Sequence, residues 1–176
     1  MEKKTILKFK WFWAWNDEKE EAWLGQMASE GWHLKELGLP GNYIFESGAP
    51  RKDVYRLDYI NNRSDYQNYL QLFTDAGWEH IGVMGGWQYF RKPMQGDLAP
   101  EIYTDNASKA QKYQRVLIFL AILLPALTMF VIRPTTGGRT LFDLYSILKT
   151  IMGFFLIFYV YAMLRIFRRI LQLQKK

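Results

Sequence analysis

Cysteine is absent from the 176 residues, which excludes disulfides, thiolate metal sites and cysteine nucleophiles. Histidine is nearly so: only His33 and His80 occur, each shortly after a Gly-Trp pair, and no carboxylates stand at metal-ligand spacing from them. The first ten residues hold no apolar run of signal-peptide length, because Lys8 and Lys10 interrupt it. No Ser/His/Asp arrangement or nucleophile elbow is present. Gly82, Gly85 and Gly86 fall between strand-like segments rather than before a helix, so they are turn glycines and not a phosphate loop. No catalytic residue, metal or cofactor is expected, and the chain is not read as an enzyme.

Acidic residues are scarce in the second part of the chain. Residues 1–100 carry 12 Lys/Arg and 14 Asp/Glu, whereas residues 101–176 carry 11 Lys/Arg and three acids, so the net of +6 belongs to the C-terminal part. That part is also strongly apolar. The basic balance therefore points to anionic lipid headgroups, and nucleic acid is not expected as a partner.

What is abundant is pattern. Trp23-Leu24, Met27, Gly31-Trp32 and Tyr43-Ile44 return 46 residues later as Tyr69-Leu70, Phe73, Gly77-Trp78 and Tyr89-Phe90. Such periodicity means that one supersecondary unit is used twice. In the first copy, Leu7, Phe9, Trp11, Trp13 and Trp15 alternate along one face of a strand, with Lys8, Lys10 and Phe12 on the other. Asn16-Asp17 with Glu20 reads as a helix cap. Trp23, Leu24, Met27 and Ala28 form that helix's apolar stripe, Gly31 ends it, and two short strands follow around Leu39–Asn42. In the second copy Tyr55, Leu57 and Tyr59 stand for Phe9, Trp11 and Trp13. Ser64 with Gln67 caps a helix striped by Tyr66, Tyr69, Leu70 and Phe73, and a hairpin turns at Met84-Gly85-Gly86.

The expected fold is α+β: a tandem β-α-β-β repeat in residues 1–92 forming a mainly antiparallel sheet with two helices on one face. Residues 93–113 read as a linker, and 114–176 as a membrane domain containing a two-helix transmembrane hairpin. Its spans are 116–132, uncharged and at the lower limit for a bilayer core of about 30 Å, and 144–164, with Lys149 its one charge. Pro125 should kink the first span, and Lys149 should snorkel. Lys109, Lys112 and Arg115 before the spans, and Arg165, Arg168 and Arg169 after them, are basic residues for the membrane surface. Their bias places both termini in the cytoplasm of a multi-pass plasma-membrane protein. Tyr159 and Tyr161 are candidate interface anchors.

Three groups of soluble residues invite a functional reading. Glu18, Glu20 and Glu21 resemble an acid/base cluster but are explained by the dipole of a helix first turn. Lys8, Lys10, Phe12, Arg56 and Phe90 would share the sheet face opposite the helices, resembling an RNA-stacking surface; a solvated or protein-docking face fits the net acidic domain better. The aromatic set Trp11, Trp13, Trp15, Trp32, Trp78, Trp87 and Tyr89 is the candidate ligand- or partner-binding surface, suited to apolar, cationic or peptide ligands.

The segments Glu21-Ala-Trp-Leu-Gly-Gln-Met-Ala-Ser-Glu-Gly-Trp-His-Leu, Tyr55-Arg-Leu-Asp-Tyr, Asp75-Ala-Gly-Trp-Glu-His and Trp87-Gln-Tyr-Phe-Arg resemble a bacterial domain-of-unknown-function family of small membrane proteins, sometimes encoded beside PadR-type regulators. The resemblance implies C-terminal spans and no catalytic residues. The expected function is a membrane-anchored, non-catalytic sensor or adaptor with a membrane or cytoplasmic protein partner. The alternative is a structural accessory subunit of a transporter or envelope-stress complex. Nothing in the sequence sets an oligomeric state.

Overall fold

A computed structural model describes residues 4–60, 65–94, 96, 99–103, 106–133 and 144–175. The elements run β1 (Thr5–Phe9), α1 (Asp17–Ser29), β2 (Trp32–Leu37), β3 (Asn42–Ser47), β4 (Asp53–Tyr59), α2 (Tyr66–Asp75), β5 (Glu79–Met84), β6 (Trp87–Pro93), α3 (Asn106–Ile132) and α4 (Leu144–Gln174). The order β-α-β-β occurs twice, and the chain divides into compact units Met1–Ser108 and Lys109–Lys176.

The strands form two antiparallel sheets of three, ordered β1-β3-β2 and β4-β6-β5, rather than one sheet of six. The reason lies at the strand edges. β2 and β5 approach each other, but each carries a bulge, at Leu34/Glu36 and at the corresponding His80/Gly82. A bulge bends the strand and breaks the even row of pairing groups. The edge of β4 is occupied by α1, whose Glu21 carboxylate accepts the Leu57 amide at 2.8 Å.

The helices also do not share a face. Leu24, Met27 and Ala28 of α1 join Leu34, Tyr43 and Phe45 of the first sheet and Tyr55, Leu57 and Tyr89 of the second in one core. Phe73 of α2 stacks on Phe90 with ring centroids 4.1 Å apart. Tyr89 and Phe90 are neighbours on β6 and point oppositely, so α1 and α2 cover opposite faces of the second sheet. Gly31 and Gly77, with φ of +85° and +79°, end the two helices as the pattern predicts.

The N-terminal strand departs from expectation. It stops at Phe9, its core residue is Ile6, and Leu7 and Phe9 are exposed. A shift of one residue exchanges the two faces of a strand. Phe12, assigned to the outer face, packs inward on Trp23 at 5.7 Å. Neither helix shows the expected cap: Asn16 makes no side-chain capping bond, and Ser64 lies outside the described residues, Asp65 taking the cap position.

In the C-terminal unit α3 and α4 form a hairpin, tied by the Tyr159 hydroxyl donating to the Leu120 carbonyl at 2.7 Å. Tyr159 is thus buried against α3, not an interface anchor, while Tyr161 is half exposed. Both helices are long and apolar enough to cross a membrane, by length and composition. They extend beyond the expected spans, to 27 and 31 residues, with Pro125 inside α3. Lys149 donates to the Arg133 carbonyl at 2.5 Å, at the carbonyl end of α3, where a cation is favoured. Lys112 is a correction: it is 1% exposed, with its ammonium 5.2 Å from the Tyr113 ring, so it is not a free membrane-surface cation. Arg165 and Arg168 are exposed, and Lys109, Arg115 and Arg169 partly so.

Candidate functional site

Among the described residues, two concave sites of the N-terminal unit stand out. The larger, about 490 Å³, is lined by His33, Lys35, Glu46, Arg51, Glu79, His80 and Arg91 among others. Its charges are already matched. Arg51 pairs with Asp53 at 3.0 Å, Arg91 with Glu79 at 2.7 Å, and Lys35 with Glu46 at 3.8 Å. His33 donates through Nε2 to the Ala49 carbonyl at 2.8 Å, and His80 Nε2 meets Gln88 Oε1 at 3.1 Å. Burial lowers the affinity of His80 for a proton, with the Gln88 contact opposing. Among the described residues no three His, Asp or Glu side chains converge as metal ligands would.

The smaller site, about 290 Å³, is aromatic. Its walls come from the irregular segment after β1 (Trp11, Phe12, Trp13), the β2–β3 turn (Pro40, Gly41) and the β5–β6 hairpin (Met84, Gly85, Trp87). The first turn of α1 supplies Asp17 and Glu20, and the strands supply Tyr43, Leu57 and Tyr89. Trp11 and Trp13 are 51% and 39% exposed and stand edge to face with centroids 5.6 Å apart. Trp15 stacks on Trp13 at 5.5 Å, outside the lining.

At the inner end Glu20 is 6% exposed, and its Oε1 accepts hydroxyls from Tyr43 at 2.6 Å and Tyr89 at 2.5 Å. These tyrosines occupy corresponding positions on β3 and β6. Burial raises the Glu20 pKa; the two hydroxyl bonds pull it down, and the Asp17 charge adds to the rise. Burial first, then the Glu20 charge, pushes both tyrosines far up, so they remain donors.

Of the seven aromatic residues singled out from sequence, the fold brings Trp11, Trp13, Trp87 and Tyr89 to this pocket. Trp32 is partly buried against the core, and Trp78 is 4% exposed with the Lys92 ammonium 5.8 Å from its ring. Both face elsewhere. Sequence reasoning missed Glu20, which it assigned to the helix dipole along with Glu18 and Glu21. Glu18 is exposed as that reading requires; Glu20 and Glu21 are buried and specifically bonded. The available signal was spacing, since Glu20 lies three and four residues before the partly buried Trp23 and the buried Leu24 and so shares their face.

The outer-face mixture does not share one exposed face, although Lys8 and Lys10 are themselves exposed. Lys8 reaches Met27 Sδ at 3.7 Å, Lys10 lies 4.7 Å from the Trp23 ring, and Phe90 is fully buried under α2. Arg56 bridges Glu21 at 3.4 Å and Glu101 at 2.8 Å.

Residues 16–124 match a family model described as protein of unknown function (DUF2812). The chain belongs to that family. No curated protein and no solved structure matches it. The DUF2812 match includes Asp17, Glu20, Tyr43, Trp87 and Tyr89 of the pocket, and it ends within α3. Trp11 and Trp13 precede it.

Proposed function

We propose that this DUF2812 chain is a membrane-anchored, non-catalytic sensor or adaptor whose N-terminal unit takes a ligand or partner in the aromatic pocket. The observation that carries this is a concavity walled by exposed indoles, with a buried Glu20 held by two tyrosines at its end. Indole side chains left 39–51% exposed beside a cavity are costly in water unless something covers them. Glu20 is held rigidly by groups that cannot move a proton at neutral pH, which suits binding better than turnover.

The anchor is α3 and α4, read as two passes of a bacterial plasma membrane with both termini cytoplasmic. The duplicated unit and genetic neighbourhood with PadR-type regulators belong to the same reading. A relay is at hand: α1 bears Glu20 on the pocket and Glu21 beside it, and Glu21 reaches Glu101, in the segment leading to α3, through Arg56.

The test uses the full chain in mild detergent and a thermal-shift screen of small water-soluble organic molecules. Trp13→Leu and Trp87→Leu should abolish any shift while retaining the far-UV spectrum. Variants that simply unfold, or that bind as before, overturn the reading. A stoichiometric membrane partner co-purifying with the chain, with binding unaffected by either variant, would favour the accessory-subunit alternative, which the exposed apolar faces of α3 and α4 also suit.

A further inference from the structure

We infer that the open edge of β1 is a docking surface for the same edge of a second copy of this chain, joining two three-stranded sheets across a two-fold axis. Four strands stand at the sheet margins, and three of their edges are blocked. β2 and β5 are bulged and lie against each other, and α1 occupies the edge of β4. β1 pairs with β3 without a bulge, and among the described elements it touches no other. A regular, uncovered edge is a template for a further strand.

The backbone sets the register. The Lys10 amide donates to the Gly41 carbonyl and the Ser47 amide to the Lys4 carbonyl, each at 2.8 Å. Alternate residues of an antiparallel strand turn amide and carbonyl toward one neighbour, so Lys4, Ile6, Lys8 and Lys10 address β3. Thr5, Leu7 and Phe9 then turn theirs to the open edge. Setting Leu7 on the two-fold axis matches every one of these groups: Leu7 pairs with Leu7 of the second copy, and Thr5 with Phe9 of that copy, in both directions. Any other register leaves some of them unmatched. The Leu7 and Phe9 side chains share the face opposite the core residue Ile6, where they are 66% and 69% exposed. In the paired sheet they meet their copies as one apolar cluster about the axis. Lys4 falls opposite Lys10 of the second copy, a repulsive pair, but it lies beyond the bonded positions, and the Lys10 ammonium sits 4.7 Å from the ring of its own Trp23. An edge of five residues is small beside the roughly 1,200 Å² that stable soluble complexes bury. The pairing therefore suits copies already held close together, and to that extent it rests on the membrane anchor proposed above.

The test exploits the lack of cysteine. The full chain carrying Leu7→Cys is reconstituted in phosphatidylglycerol vesicles, oxidised with copper phenanthroline and resolved on a non-reducing gel. Residues opposed in a bonded antiparallel pair stand about 5.5 Å apart at Cα, within disulfide reach. Leu7→Cys should therefore form a covalent dimer at least about tenfold faster than Gln71→Cys on the exposed side of α2, which meets its copy only by chance. Thr5→Cys mixed with Phe9→Cys should cross-link, and neither should do so alone. Adding Leu7→Pro to that mixture removes an amide aimed at the open edge and none that faces β3, so the cross-link should vanish with the far-UV spectrum unchanged. Equal rates at positions 7 and 71, or cross-linking of Thr5→Cys or Phe9→Cys alone, overturns the edge pairing, and these comparisons decide even if Leu7→Pro unfolds. Vesicle flotation keeps the two readings apart. Chain that floats with the lipid yet fails to cross-link overturns the edge inference alone, whereas chain that does not float overturns the anchor and the inference with it.

Discussion

Burial and hydrogen bonding pull the Glu20 carboxyl in opposite directions, and burial prevails, leaving its pKa above the ordinary 4.5. A folded-state value above the unfolded one means that the protonated form favours folding. The contribution is complete below about pH 4.5 and is lost as pH rises through the raised folded value. Glu20→Gln removes this titration, so wild-type stability should fall relative to the variant as pH goes from 4.5 toward neutrality. Urea denaturation at several pH values, read by far-UV circular dichroism, checks the sign; the groups facing Glu20 in this comparison are Asp17, Tyr43 and Tyr89. Tyr43→Phe and Tyr89→Phe each delete one bond to the buried carboxyl and should cost about 1.5–3 kcal/mol at neutral pH. Because they share one acceptor oxygen, the double variant should depart from additivity, which a double-mutant cycle measures.

At the scale of elements, the proposed path from pocket to linker depends on β4 and what flanks it. Arg56 lies between the Glu21 and Glu101 carboxylates, and the Tyr103 hydroxyl donates to buried Asp58 on the same strand. Arg56→Ala leaves two carboxylates without their shared cation. Amide exchange should accelerate in residues 99–103, with far-UV signal retained; unchanged exchange there would remove the relay from the sensor reading. The β5–β6 turn offers a separate check. Gly85 and Gly86 have φ of +59° and +88°, but a Cβ on Gly85 meets open space, whereas one on Gly86 would lie 2.7 Å from the Tyr59 ring. Gly85→Ala should cost about 1 kcal/mol from backbone strain alone, and Gly86→Ala should cost more, as chemical denaturation would show.

For the whole molecule, the proposed anchoring turns on which side of a bilayer each end would occupy. The helices, at 27 and 31 residues, are about 40–47 Å long at 1.5 Å per residue and exceed a hydrocarbon core of about 30 Å. The absence of cysteine makes single-cysteine labelling clean. In intact cells, Gly138→Cys should react with a membrane-impermeant maleimide, and Gln172→Cys and Lys4→Cys should react only after permeabilisation. The reverse pattern would overturn the orientation drawn from the basic flanks, and extraction of the chain by carbonate would overturn the spans themselves.

Periodicity and punctuation carried the element order. The apolar stripe at Leu24, Met27 and Ala28, the helix-ending glycines and the Met84–Gly86 hairpin were all legible because each depends on neighbours a few residues away. The two long apolar helices were legible for a related reason, since length and lack of charge are local properties. What failed was whatever depends on distant partners. An alternating strand has two faces, and only docking onto α1 decided that Ile6 and Phe12 go inward while Leu7 and Phe9 face solvent. One sheet or two was decided by bulges in β2 and β5 and by a helix seated on the β4 edge. Glu20 carries no local sign that two tyrosines, 23 and 69 residues away along the chain, converge on it. The sequence alone thus determined which elements form and in what order, through short-range sterics and hydrophobic spacing. The pocket and its buried charge exist only in the folded chain, because they are made of contacts that no window of sequence contains.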